Sequence, residues 1–314
     1  MGTDTFTSKK NAFLTRVHEL APIFQRGAFR SEDLGSGMGM RLKRLLRYRS
    51  TYLKHVAVRL GISFGGDSSV KLFWGRTITL PVRDVNTRSM RQVGMLGGDE
   101  YRLISFLIQQ FREDDVFYDV GANYGFYTLL AQEFLAKGQV HAFEPSEKVF
   151  AYLKQAKNDT TFLNNCALAD VTGEISFFDT SSQHRSGKST ILQEVATLNH
   201  AVGSEVRVPS ITLDEYCRTH KAPTIMKIDV EGGESKVLAG GMQTLRSVPV
   251  IIAMELWSGE RSNFSRTAIS VIRDLGYAPS LLSPEGEAQA MTFDELETYL
   301  SENRTDNNFI FQKR

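Results

Sequence analysis

The sequence predicts an α/β protein built on an open, mostly parallel sheet. Short runs rich in β-branched and aromatic residues, 116–120, 139–143, 224–229 and 250–254, alternate with stretches whose apolar residues recur at helical spacing. The first run, Val116-Phe117-Tyr118-Asp119-Val120, breaks on Gly121-Ala122-Asn123-Tyr124-Gly125 and restarts as a helix near Phe126, with Leu129, Leu130 and Phe134 on the same side. A chain of 314 residues that is 41% hydrophobic with net charge +1 can bury a sizeable core.

In chain order, residues 1–65 read as an N-terminal helical extension and 66–314 as the main domain. Gly35-Ser36-Gly37-Met38-Gly39 is a flexible break. Residues 41–60 place Leu42, Leu45, Leu46, Leu53, Val56 and Leu60 at helical spacing among seven Lys and Arg and no acid. Such a basic amphipathic helix either docks its apolar stripe on the main domain or lies against an anionic membrane surface or acidic partner. Nucleic acid is disfavoured, because the chain as a whole has no broad basic excess. Strands over 71–74 and 77–80 flanking Gly75-Arg76 predict a hairpin with a two-residue turn. Residues 84–98 read as loop, and 100–111 as a helix burying Leu103, Phe106, Leu107 and Phe111.

The glycine turn after the 116–120 strand is where such sheets build a cofactor site, since glycine lets backbone approach a ligand and the following helix offers free N–H groups. A dinucleotide loop needs three glycines spaced for a pyrophosphate. Here there are two, and Asp119 in the strand would repel a pyrophosphate while suiting a ligand with an ammonium group. About 20 residues further on, the strand 139–143 ends in Glu144-Pro145, where an acid can accept hydrogen bonds from both hydroxyls of a ribose. A ribose, an amino-acid end and no phosphate describe S-adenosylmethionine.

Asp-Val-Gly-Ala-Asn-Tyr-Gly at 119–125, Phe-Glu-Pro at 143–145, Ala-Leu-Ala-Asp at 167–170 and Lys-Ile-Asp-Val-Glu-Gly at 227–232 together resemble the FkbM family of S-adenosylmethionine-dependent methyltransferases. The resemblance covers roughly 95–257 and more loosely the remainder. It implies a Rossmann-like class I methyltransferase fold, a seven-stranded sheet with helices on both faces and the last strand antiparallel. It also implies transfer to oxygen, on a sugar, glycolipid or secondary metabolite. Asp119, Gly121, Ala122, Asn123, Gly125, Glu144 and Pro145 are the expected cofactor contacts, with Asn165 and Ala167 at the adenine edge by resemblance alone.

Downstream, Ser146 caps a helix, 162–168 reads as one strand, 173–178 as another, and 180–203 as a long polar loop of the kind that forms lids. Thr212 and Glu215 make a capping box. The strand 224–229 should end on the same rim as Gly121 and Glu144, bringing Asp229 and Glu231 to the transferable methyl. A helix over 268–275, a strand over 278–282, a helix capped at Thr292 and a strand over 308–312 follow.

An alcohol acceptor loses a proton on methylation, so a base within hydrogen-bond reach helps. Asp229, Glu231, Glu255 and His184 are the candidates, with Asp229 also a candidate cofactor ligand. Asp229, Glu231 and Glu255 are all oxygen donors, so a metal is chemically open to them, but a metal-free site is expected. Tyr124 and Tyr127 are expected to pack. Cys166 and Cys217 read as reduced thiols in a reducing cytosol. No run of about 20 apolar residues and no secretion signal is seen, so a cytoplasmic enzyme, peripheral at most at a membrane, is expected. The competing functions are a membrane-associated scaffold working through 41–60, and a nicotinamide-dependent oxidoreductase.

Overall fold

The structure is a computed structural model that describes residues 3–25, 66–198, 204–302 and 307–313. The basic stretch 41–60 and the break at 35–39 lie outside the described residues. The chain divides into two units, Met1–Tyr101 and Arg102–Arg314, a boundary later than the expected one after residue 65.

The first unit contains α1 (Thr3–Gln25), β1 (Asp67–Lys71), β2 (Thr77–Pro81) and α2 (Arg88–Val93). β1 and β2 pair antiparallel with Lys71 opposite Thr77, so the turn holds five residues rather than the expected two. Phe73 and Trp74 leave the ladder to pack on each other and on Phe13, with ring centroids 4.7 to 6.2 Å apart. The segment expected as loop over 84–98 contains a 3₁₀ turn, capped by the Asp84 side chain, and then α2.

The second unit runs α3 (Glu100–Gln110, from Arg102 on), β3 (Val116–Val120), α4 (Phe126–Gln132), β4 (Gln139–Phe143), α5 (Glu147–Leu153), β5 (Thr161–Asn164), β6 (Ala167–Leu168) and β7 (Gly173–Asp179). It continues through α6 (Gln193–Leu198), β8 (Ser204–Ile211), α7 (Leu213–Tyr216), β9 (Ile225–Ile228), α8 (Glu234–Ala239), α9 (Met242–Ser247) and β10 (Ile251–Leu256). It ends with α10 (Ser262–Asp274), β11 (Tyr277–Leu282), β12 (Ala288–Ala290), α11 (Phe293–Glu302) and β13 (Asn307–Lys313).

The large sheet has the order β12-β11-β13-β10-β9-β3-β4-β5. β10, β9, β3, β4 and β5 are parallel, and β13 runs antiparallel between β10 and β11. These with β11 are the seven strands expected, last one reversed; β12 adds a short hairpin at the edge. Every residue of β3 and β9 is buried, so both faces are covered at the sheet's centre. The chain winds one way from β3 through β4 to β5 and the other way from β9 through β10, which makes the carboxyl ends of β3 and β9 the topological switch point.

The strand expected over 162–168 is broken. β5 stays in the large sheet, while β6 joins β8 and β7 in a separate three-stranded sheet. The break falls at Asn165, whose Nδ2 donates to the carbonyls of Glu144 (2.8 Å) and Pro145 (3.2 Å) instead of continuing a strand. Among the described residues, no helix is long and apolar enough to cross a membrane.

Candidate functional site

β3 is apolar because it is central, and it ends where Gly121 takes φ +77°. A Cβ at Gly121 would lie 1.9 Å from the Asp229 carbonyl, so the β3 and β9 loops touch through backbone and only glycine fits. Gly121 and Ala122 both donate their N–H to the Phe143 carbonyl, at 3.0 and 2.9 Å, which ties the loop to the end of β4. Asn123, at φ +50°, turns its N–H to Glu144 Oε2 at 2.9 Å. Gly125 then opens α4 at φ +84°, against Leu153.

Glu144 is buried, and its oxygens are held one apiece: Oε2 by Asn123 N–H and Oε1 by Ser146 N–H, both at 2.9 Å. Burial pushes its carboxyl up to about 7, against the opposing pull of those two N–H groups. Ser146 also caps α5 as expected and donates to Asp179 Oδ2 at 2.9 Å.

Asp229 follows β9, its N–H bonded to the Val120 carbonyl at 3.1 Å. Glu231 sits two residues on with φ +53°, a left-handed conformation that a non-glycine residue adopts at some cost. Burial first, and the negative charge of Asp229 second, raise its carboxyl to about 8, while Lys188 and Arg261 act in the opposite sense. Glu234 secures the turn: its Oε1 accepts from Gly232 N–H at 3.1 Å and Val230 N–H at 3.3 Å, and burial raises it to about 7.

The long polar segment after β7 is ordered by bonds to both loops through residue 198. Phe178 and Thr190 form a bridge, Ser186 Oγ donates to Asn123 Oδ1 at 3.3 Å, and Thr190 Oγ1 donates to the Glu231 carbonyl at 2.8 Å. These elements surround a cleft of about 630 Å³, open mouth included, lined among others by Gly121, Asn123, Glu144, Pro145, Ala167, Ser186, Ser189, Asp229 and Glu231.

Most of the residues expected from sequence therefore meet at one cleft. Asp119 does not line it: the side chain is fully buried beneath the loop, accepting from Thr128 Oγ1 at 2.7 Å. Ala122 and Gly125 shape the loop from behind, and Asn165 holds the Glu144-Pro145 turn from outside the lining. His184 is exposed and outside the lining. Glu255 is half-buried in β10 and also outside it. Among the described residues, no three His, Cys, Asp or Glu side chains are grouped to hold a metal ion. Cys166, a free thiol in the cleft wall, is pushed up to about 11 by burial. Lys227 and Glu234 were not foreseen as site residues. The signals for Lys227 are its place inside an otherwise apolar strand two residues before Asp229 and at the head of the 227–232 block.

Residues 119–309 match the Methyltransferase FkbM domain. The chain belongs to the FkbM methyltransferase family. The hexuronic acid methyltransferase AglP of Haloferax volcanii is 30% identical to it over 167 residues, 51% of this chain and 63% of that protein. Among solved structures, the FkbM methyltransferase of Methylobacillus flagellatus KT has a TM-score of 0.41 at 13% identity, covering 86% of this chain and 59% of the other. The precorrin-6y C5,15-methyltransferase of Geobacter metallireducens GS-15 has a TM-score of 0.39 at 12% identity, covering 68% and 88%. Family membership makes S-adenosylmethionine the cofactor and removes the nicotinamide reading.

Proposed function

We propose that this FkbM-family protein methylates a hydroxyl of a sugar, in a glycan or glycolipid, with S-adenosylmethionine as donor. The observation that carries the reading is the convergence of the glycine loop, Glu144 and the Asp229–Glu231 turn on one cleft at the switch point. The residues present suit the cofactor. Each Glu144 oxygen takes a single backbone N–H, which leaves a lone pair on each for the two hydroxyls of a ribose. Gly121 lets the Asp229 backbone close on the loop, which brings both loops to the cleft, and Ala167 and Leu168 add apolar wall for a base.

Bound there, the cofactor supplies a methyl group on a positively charged sulfur, which is already electrophilic. The protein contributes alignment and proton management. The Asp229 carboxylate, held at the cleft, offers a negative charge to the cationic end of the donor. Glu231 takes the proton of the acceptor hydroxyl at a carboxylate oxygen. A carboxyl raised to about 8 is a far stronger base than an ordinary glutamate and close to the working pH. Lys188 and Arg261, the positive charges beside Glu231, favour an acceptor that carries a carboxylate, and the Haloferax relative is named for a hexuronic acid.

Calorimetric titration with S-adenosylmethionine and S-adenosylhomocysteine, with NADH as control, tests the donor site; no adenosyl binding would overturn the reading. Transfer of labelled methyl to a p-nitrophenyl glucuronide, compared with the glucoside, tests the acceptor. Glu231→Gln should lower that transfer by roughly 10²- to 10⁴-fold, the usual contribution of a general base, with S-adenosylhomocysteine affinity unchanged. The finer placement, at an anionic membrane through residues 41–60, is checked by liposome co-sedimentation of the protein before and after replacing Arg41, Lys43, Arg44 and Arg47 with serine.

A further inference from the structure

Lys227 is 4% exposed in a strand whose other residues are all buried and apolar. An ammonium is rarely buried unless it is paired. Here Nζ lies 3.0 Å from Asp229 Oδ2, 3.5 Å from the Gly121 carbonyl and 3.8 Å from Asp119 Oδ1, over the Tyr127 ring at 5.3 Å. The register explains the arrangement. β3 and β9 are adjacent and parallel with Asp119 opposite Lys227, so the two side chains stand side by side on one face.

The allocation of these contacts is informative. Asp119 is the fully buried carboxylate and has the greater need of a counter-charge, yet its Oδ1 makes no hydrogen bond and the lysine stands off at 3.8 Å. The short bond goes to Asp229, whose side chain is 35% exposed at the cleft. A lysine placed only to neutralise Asp119 would sit closer to it. The same ammonium also reaches the Gly121 carbonyl, on the loop whose backbone meets Asp229.

We propose that Lys227 is a positioning residue: a buried strut that aims the Asp229 carboxylate into the cleft and locks the glycine loop to the Asp229–Glu231 turn, with Asp119 as its buried counter-charge. The donor and acceptor sides of the cleft are then one mechanical unit. The functional consequence rests on reading the cleft as the methyl-transfer site; the strut itself does not.

The test compares wild type with Lys227→Met and with the double variant Asp119→Asn/Lys227→Met. Melting temperature, hydrogen exchange of the ligand-free amides 229–232 and calorimetric affinity for S-adenosylhomocysteine are read for each. Lys227→Met strands a buried carboxylate and should melt lower, while the double variant removes both charges and should recover most of the loss. Exchange at 229–232 should stay at least tenfold faster, and S-adenosylhomocysteine affinity at least tenfold weaker, in both. If the double variant regains exchange protection and affinity together with its melting temperature, the lysine is only a counter-charge and the proposal fails. Unchanged exchange at 229–232 in either variant also overturns it. Should Lys227→Met not fold, the double variant carries the comparison. If wild type does not bind S-adenosylhomocysteine, the methyl-transfer reading falls while exchange still decides the strut.

Discussion

Glu144 is where residue chemistry and cofactor binding meet most directly. Its carboxyl, raised to about 7 by burial, is ionised only in part at neutral pH. Two ribose hydroxyls donate to the ionised form and favour it, so cofactor binding near pH 7 should release a proton and affinity should fall as pH drops below 7. Titrations in two buffers of different ionisation enthalpy detect that proton. Glu144→Ala should weaken S-adenosylhomocysteine binding by about 1.5–3 kcal/mol, the size of hydrogen bonds to a charged group, and leave no release step. Glu144 and Asp229 were legible in the sequence because an acid closing an apolar run stands out at the rim of a parallel sheet. Glu234 was not, because its work is bonding the backbone of Val230 and Gly232, a geometry set by the left-handed turn at Glu231 and Gly232. Lys227 was hidden for a different reason: its partners Asp119 and Gly121 lie on β3 and in the loop that follows it, and only the β3–β9 register brings them beside it.

At the scale of elements, the alternation of strand and helix was readable because β3, β4, β9 and β10 are buried runs with period and length to match. The break of the 162–168 run was not, since it depends on Asn165 finding carbonyls at the end of β4, far away in sequence. The same holds for the segment after β7, which reads in sequence as a long polar loop and is pinned to Asn123 and Glu231. The glycine loop gives the sharpest prediction here. Gly121→Ala forces a non-glycine residue to φ +77° and drives its Cβ into the Asp229 carbonyl, so it should cost about 3 kcal/mol or more and abolish adenosyl binding. Urea denaturation and calorimetry read both effects. Ser146→Ala removes the cap of α5 and a bond to Asp179 and should cost about 1 kcal/mol with the cleft intact.

For the molecule as a whole, two acids at the cleft, Glu144 buried and Glu231 half-buried, and the buried Glu234 behind the turn together set how stability responds to pH. Glu144, Glu231 and Glu234 are raised to about 7, 8 and 7 in the folded chain, chiefly by burial. Unfolding returns each to the ordinary range near 4.5. The folded state therefore binds more protons between these limits, and the stability each acid contributes is present below about 4.5 and lost as pH rises through 7 to 8. His141 works the other way. It is fully buried, bonded to the Tyr216 hydroxyl at 2.8 Å, and burial lowers it to about 3 from 6.5. Its contribution is present above 6.5 and lost as pH falls toward 3. Above pH 6.5 nothing among these four groups opposes the carboxyls, so the melting temperature of the cofactor-free protein should fall from pH 6.5 and level off above about 8. Each acid forced to ionise in these surroundings costs on the order of 1 kcal/mol or more, roughly 2–4 °C for a unit of this size. Calorimetric scans across that range should give a flatter profile for Glu231→Gln than for wild type, because the amide has no proton to lose. A profile of equal slope in both would mean that Glu231 does not titrate in this range in the folded cleft, and the raised basicity assigned to it would go.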